Sequence, residues 1–437
     1  MAVRIVRDRH HARRVGAFSS GARLATSEGM REQGIAFCTH LARAGKRLAL
    51  AVCALFAGAS SLAQAFPSAG TTGFVLDGNR IYARLAFVRP DGSVHQALAS
   101  VDMGSASMGI ARSLLEELHL DESKRLLFRV GELSVEVPAG EVISRSGEPY
   151  SIGSDLKVEA LLPAGVLQNF QVVIDYGSRT LTLARSPSHK PEGVSVPLHI
   201  NRQTGLVAVD ATIAGKPCAV TIDNGSAYTW FRQSTAKDWL RSHPEWERGL
   251  GAVGASNMRM AGDGGEASGT LLRIPEISLG PVRLRDVGVL APGPGGEFPG
   301  GLDLFDWYSS KNALPVIGWV GGNVLKQFRL TIDYPNQRIY WLRETDPDSH
   351  DLDQVGLTLR AEGGEYVVAT VATKNGKPTV ENVSPGDKLI RVGELETKHA
   401  TWGGIYEALH GKPGEIRVLL IERNGDRITV RVRVTAF

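Results

Sequence analysis

Two stretches of the 437-residue chain run through the same ordered series of strands and turns, and each places Asp-x-Gly-Ser directly after an apolar strand. The first opens with the alternating strand Arg80 to Val88, turns at Arg89-Pro90-Asp91-Gly92, returns through Ser93 to Val101 and reaches Asp102-Met103-Gly104-Ser105. A helical segment over Ala111 to Leu118 follows. The copy then closes through Leu161 to Phe170 into Val172-Val173-Ile174-Asp175-Tyr176 and Arg179 to Leu183. The second has Leu206 to Ile213, a turn at Ala214-Gly215-Lys216-Pro217, the strand Cys218 to Ile222, and Asp223-Asn224-Gly225-Ser226. Its close is Gly321-Gly322-Asn323-Val324-Leu325, Phe328, Leu330-Thr331-Ile332-Asp333-Tyr334 and Arg338 to Leu342, which parallels the first copy almost position by position. So ordered a series is a repeated structural unit. With 50 glycines and only 7% aromatic residues, the strand patterns predict a mainly β, turn-rich fold.

The rest of the chain divides around this pair. The repeats predict a first lobe over residues 66–190 and a second over 191–343. The polar run Glu344 to Asp351 reads as a linker, and residues 352–437 form a separate small domain. That domain carries strands at Val355 to Leu359, Tyr366 to Val371, Glu415 to Glu422 and Arg427 to Val434, and a helix around Trp402 to Leu409. Strands and a helix mixed at this size predict a small, partly open β-barrel.

Residues 1–65 read as a leader. Arg43, Lys46 and Arg47 precede the apolar run Leu48 to Phe56, then small residues and Ala63-Gln64-Ala65, the three regions of a secretory signal with cleavage after Ala65. The run is shorter than the roughly 20 residues that span a bilayer, so the expectation is export, to a periplasm or outside the cell. The alternative is a protein anchored by an uncleaved leader, the one case in which a membrane contact is expected. Met30 stands at the right distance upstream to be the true start, which would leave residues 1–29 untranslated. The leader holds 10 Lys/Arg against 3 Asp/Glu, leaving 39 against 43 for the remainder, so the basic balance gives no argument for nucleic acid. Of three cysteines only Cys218 lies beyond the leader, which excludes an internal disulfide in the processed chain and argues against a cysteine-based metal site. No metal or other cofactor is expected.

An ionised carboxylate at the end of an apolar strand is unfavourable unless donors surround it, and a glycine two residues on lets the chain turn tightly enough to offer its N–H groups. A pseudo-twofold axis would bring two such turns face to face, with Asp102 and Asp223 within hydrogen-bond distance. Both carboxyls cannot easily ionise there, so one proton is shared; such a pair can activate a water and protonate a leaving amine. The chemistry implied is peptide hydrolysis.

These residues resemble the pepsin and retropepsin-like aspartic proteases: Asp-x-Gly-Ser after an apolar strand in each copy, and a close made of an apolar pair, a small residue, Val-Leu and an Asp-Tyr strand. The resemblance covers about residues 70 to 345 and implies two pseudo-twofold-related aspartic-protease-like β lobes. It makes Asp102 and Asp223 the catalytic pair, Gly104 and Gly225 sources of backbone donors, Ser105 and Ser226 hydroxyl donors to the outer carboxylate oxygens, and Gly321 a support for the second loop. The family's Thr or Ser between Asp and Gly is replaced by Met103 and Asn224, and its supporting Gly by Pro163-Ala164-Gly165 in the first copy. The C-terminal domain is similar to a PDZ domain, with Ser384-Pro385-Gly386-Asp387-Lys388-Leu389-Ile390 as its best-matching segment. There Gly356, Leu357, Thr358 and Leu359 would form the peptide-binding loop and strand, capturing an extended peptide such as a C-terminus by strand addition.

The expected function is thus an exported aspartic endopeptidase acting on polypeptide substrate, with a PDZ-like domain that recruits substrate or partner. Two alternatives stand beside it: a non-catalytic peptide-binding pseudo-protease, and a homodimeric retropepsin-like protease that uses the second lobe only. Asp175 and Asp333 read as hairpin residues, and Trp230, Trp239 and Trp246 as packing. A flap over the cleft is sought in Met260 to Gly269 or Glu132 to Ile143, and Ala291 to Gly301 reads as a loop.

Overall fold

A computed structural model describes residues 67–120, 124–145, 156–185, 190–246, 248–251, 265, 267–294 and 302–437. The first copy contains β1 (Ala69–Asp77), β2 (Arg80–Val88), β3 (Val94–Asp102), β4 (Met108–Ala111), α1 (Arg112–Glu117), β5 (Arg125–Val130), β6 (Leu133–Pro138) and β7 (Val142–Arg145). It ends with β8 (Val158–Pro163), α2 (Ala164–Leu167), β9 (Gln171–Asp175) and β10 (Thr180–Ala184). The second copy runs through β11 (Val194–Pro197), β12 (His199–Ile200), β13 (Val207–Ile213), β14 (Lys216–Ile222), β15 (Thr229–Phe231), α3 (Gln233–Ser242) and β16 (Arg248–Leu250). It continues with β17 (Thr270–Leu279), β18 (Val282–Ala291), α4 (Leu304–Lys311), β19 (Gly318–Val320), α5 (Gly322–Leu325), β20 (Phe328–Asp333) and β21 (Arg338–Arg343). The C-terminal part has β22 (Leu357–Glu362), β23 (Glu365–Val371), β24 (Thr373–Lys374), β25 (Lys377–Pro378), β26 (Lys388–Val392), β27 (Leu395–Glu396), α6 (Trp402–Leu409), β28 (Ile416–Arg423) and β29 (Asp426–Arg433).

Period-two patterning explains the strands. In β2, Ile81, Ala83, Leu85 and Phe87 are fully buried on one face, and Ala97, Ala99 and Val101 of β3 join them in one core. The β2–β3 turn closes at Gly92, whose φ of +83° needs a residue without Cβ, and whose N–H donates to the Arg89 carbonyl at 2.9 Å.

The two copies are built alike around their aspartates. β3 pairs in parallel with β8, and β14 in parallel with β19; β4 and β15 then pair antiparallel with β8 and β19 respectively. The short helices α2 and α5 follow β8 and β19 directly. The copies also meet in register, since β9 and β20 pair antiparallel with Val173 opposite Thr331, Ile174 opposite Leu330 and Val172 opposite Ile332. Positions equivalent in the two repeats therefore face each other across a local twofold.

A six-stranded sheet, β22-β23-β26-β28-β29 with β27 beside β26, makes up the C-terminal part and encloses its own core with α6. Trp402, Ile405, Tyr406 and Leu409 are the inward face of that helix, at helical spacing. This part does not stand apart. β16 pairs with β24 through Leu250 and Thr373, and Tyr406, Leu352, Ala372 and Phe437 enter a cluster with Tyr228, Trp230, Trp319 and Tyr308 of the second copy. The polar run that reads as a linker ends in a buried residue, Asp351, which accepts from Arg273 Nη1 at 2.9 Å and Asn323 Nδ2 at 2.6 Å. No helix among the described residues is long and apolar enough to cross a membrane.

Candidate active site

Asp102 is the last residue of β3 and Asp223 the first after β14, so two apolar strands deliver the carboxyls to one place. Each carboxylate is gripped by its own loop: Gly104 N–H donates to Asp102 Oδ1 and Gly225 N–H to Asp223 Oδ1, both at 2.9 Å. The glycines also cross. A Cβ on Gly225 would lie 2.5 Å from Asp102 Oδ1, and one on Gly104 would run into the Asp223 carboxylate. Each glycine thus lies against the opposite aspartate, where only a hydrogen fits.

The two carboxyls hydrogen-bond each other in a buried setting, and burial is the main cause that raises both above the ordinary carboxylate range. Asp223 rises further, because the Asp102 charge adds to the burial. Asp102 is drawn back by the Gly104 amide, by the bond from Asp223 and by the Arg80 guanidinium. The two carboxyls therefore titrate as one coupled pair that shares a proton.

The residues between Asp and Gly are unequal. Asn224 Oδ1 accepts from the Met103 N–H at 3.0 Å, so one loop is tied to the other through a side chain. The Met103 thioether offers no comparable acceptor in return. Asn224 Nδ2 is buried without a hydrogen-bond partner among the described residues.

The serines do not take the role the motif implies alike. The single Ser226 hydroxyl proton goes to the Tyr228 carbonyl at 2.7 Å, and its oxygen accepts from Trp319 Nε1 at 2.7 Å, so that hydroxyl is not the donor to the outer oxygen of Asp223. What Ser226 gives the carboxylate is its backbone N–H, as Ser105 does for Asp102. Ser105 borders a cavity of about 290 Å³ together with Gly104, Ile143, Leu206, Trp307 and Lys311.

Gly321 packs beside the second loop. Its N–H donates to Thr229 Oγ1 at 3.1 Å, and a Cβ there would collide with the Tyr228 carbonyl. The next residues bind the loop directly, Gly322 N–H to Ser226 O at 2.8 Å and Asn323 N–H to Ala227 O at 2.9 Å. In the first copy Pro163 stands where Gly321 stands in the second, yet Ala164 N–H still reaches Ser105 O at 2.9 Å. The backbone bracing survives the substitution because it uses the following residue.

Several neighbours were not legible as site residues. Arg80 is 1% exposed and donates from Nε to the Gly225 carbonyl at 2.9 Å. Tyr308 of α4 is buried close enough to feel both carboxylates, and burial first of all keeps its hydroxyl neutral. Trp307 and Lys311 bring the same helix to the cavity. An arginine opening an alternating strand reads as solvent-facing, and α4 carries no motif.

In the C-terminal part, Gly356 takes φ +90°, and Leu357, Thr358 and Leu359 are buried, with exposures of 0%, 1% and 7%. β22 pairs only with β23 among the described strands. The space between β22 and α6, lined by Leu357, Leu359, Trp402, Ile405, Tyr406 and Leu409, has room for about one water-sized probe. The helix start is occupied by the first copy, since Asp77 accepts from Thr401 Oγ1 at 2.5 Å and from Gly403 N–H at 3.0 Å.

Of the flap candidates, β6 pairs with β5, and the Gly131 turn between them abuts Thr71 of β1; only the Ile143 end of that stretch reaches the cavity. Residues 260–264, 266 and 295–301, which fall in the other two stretches, lie outside the described residues. Asp175 and Asp333 do serve their turns, accepting from Ser178 and Asn336 N–H at 2.7 and 3.2 Å.

Residues 209–302 match the family model described as aspartyl protease. The match contains Asp223 and its loop. Among solved structures, the chain is similar to an aspartic proteinase from Irpex lacteus, with a TM-score of 0.37 and 12% sequence identity over 64% of this chain and 98% of that one. No curated protein matches it. The family match supports an aspartic-protease-like fold and protease-type chemistry at the general level.

Proposed function

We propose that the chain is an aspartic-type endopeptidase whose active site is the single pair Asp102 and Asp223, completed within one chain. The observation that carries this reading is the crossing of the loops, each glycine packed on the other copy's carboxylate. In the reaction, the Asp102 carboxylate takes a proton from a water as its oxygen bonds to the peptide carbonyl carbon, and Asp223 gives its proton to the carbonyl oxygen. Collapse of the tetrahedral species breaks the C–N bond. Asp102 then passes the proton it holds to the leaving nitrogen, and Asp223 recovers its own from the hydroxyl. A polypeptide substrate would lie along the cavity beside Ser105, with side chains against Ile143, Leu206 and Trp307. Export through the leader, and recruitment of substrate or partner by the PDZ-like domain, belong to the same proposal.

A mixed peptide library incubated with the full chain between about pH 3 and 7 tests the reading. Cleavage proportional to protein concentration supports a single-chain enzyme, and cleavage rising with the square of concentration supports pairing of second lobes. The replacement of the grip hydroxyls by Met103 and Asn224 favours one rival, a peptide-binding pseudo-protease. Folded protein that binds peptides and cuts none at any pH would establish it.

A further inference from the structure

Arg80 begins β2 in the first copy, yet its guanidinium lies under the catalytic loop of the second, nearly without solvent and bonded through Nε to the Gly225 carbonyl at 2.9 Å. In the other bond between the copies at these loops the side chain belongs to the second: Asn224 Oδ1 accepts from the Met103 N–H at 3.0 Å. A symmetric tie would need an acceptor at position 103, and a thioether is a poor one. The first copy therefore holds the second loop by a different group.

We propose that Arg80 is the positioning residue of the pair: it supplies the hold on the Asp223 loop that Met103 cannot give, and it brings a cation beneath the pair that favours its ionised form. The catalytic consequence rests on the peptidase reading; the placement of the cation does not. Burial raises Asp102, and the Arg80 charge is among the influences that offset it. The other groups facing the pair are Tyr308 from α4 and Tyr176 after β9, which burial holds neutral, as it does Tyr82, the hydrogen-bonding neighbour of Arg80 on β2. A guanidinium is charged at any working pH, so the bias is permanent.

Two variants of the full chain separate bond from charge. Arg80→Gln removes the cation, and the ionisation of the pair should move to higher pH. This is read as an alkaline shift of the bell-shaped rate profile and, independently of cleavage, in a carboxyl carbon-13 NMR titration. Arg80→Lys keeps a charge and loses the planar fork, so the titration should stay in place while kcat falls about tenfold at unchanged KM, in protein shown by melting to be folded. An unmoved titration in folded Arg80→Gln overturns the charge role. Should that variant not fold, Arg80→Lys decides: wild-type kcat overturns the positioning role, and a displaced titration overturns the charge role. An alkaline shift of the NMR titration in a chain that cuts nothing would uphold the assignment and sink the peptidase reading instead.

Discussion

Asn224 ties the two loops through its Oδ1, while its amide nitrogen has no partner among the described residues. Replacing it by Ala strips the buried Met103 N–H of its acceptor, and Asn224→Ala should destabilise the fold by about 1–3 kcal/mol. Chemical denaturation measures this directly, and a loss under about half a kcal/mol would mean that water or another group takes over the N–H. At this scale the sequence was informative where chemistry forces a residue type. Asp102, Asp223, Gly104 and Gly225 were legible because a carboxylate ending an apolar strand needs a tight, donor-rich turn. Arg80 and Asp77 were not, since what makes them matter is the opposite copy in one case and the start of α6 in the other. Ser226 was assigned to the right loop and the wrong partner: nothing local reveals that Trp319 and the Tyr228 carbonyl claim its hydroxyl.

Among elements, the strands leading into the two Asp-x-Gly-Ser turns, the paired closes of the copies and α6 were readable to within two residues, because period-two and helical patterns survive where one face is buried, whereas β1, β5, β6, β17 and β18 were not singled out. β14 begins two residues before the expected Cys218, since Pro217 and Lys216 pair with Thr212 and Ile213 at the end of the hairpin. β22 begins only after Gly356, whose left-handed φ breaks the strand pattern. The short turn of α5 is the element on which the Asp223 loop leans. Gly321 leads into it with no room for a methyl group against the Tyr228 carbonyl, and backbone cannot yield as a flexible side chain would. Gly321→Ala should therefore cost about 1–3 kcal/mol and lower kcat, with both read on the same preparation. A variant as stable and as active as the parent would show that the loop does not depend on this close approach.

At the scale of the molecule, the repeat seen in sequence becomes the antiparallel pairing of β9 with β20, which is what sets the two loops opposite each other. The C-terminal part is joined to this body by the β16–β24 pairing, by Asp351 with Arg273 and Asn323, and by Asp77 at the head of α6. That attachment was the least legible feature, because a polar run ending at a buried Asp351 has the composition of a linker. The route from Asp351 through Asn323 to Thr229 also connects the attachment to the strand that leaves the Asp223 loop. The central claim is that the two copies contribute one carboxyl each to a single catalytic pair, and substitution of each in turn tests it. Asp102→Asn and Asp223→Asn should each abolish peptide cleavage while the chain remains folded by thermal melting. Cleavage at the parental rate in folded Asp102→Asn protein would contradict the account.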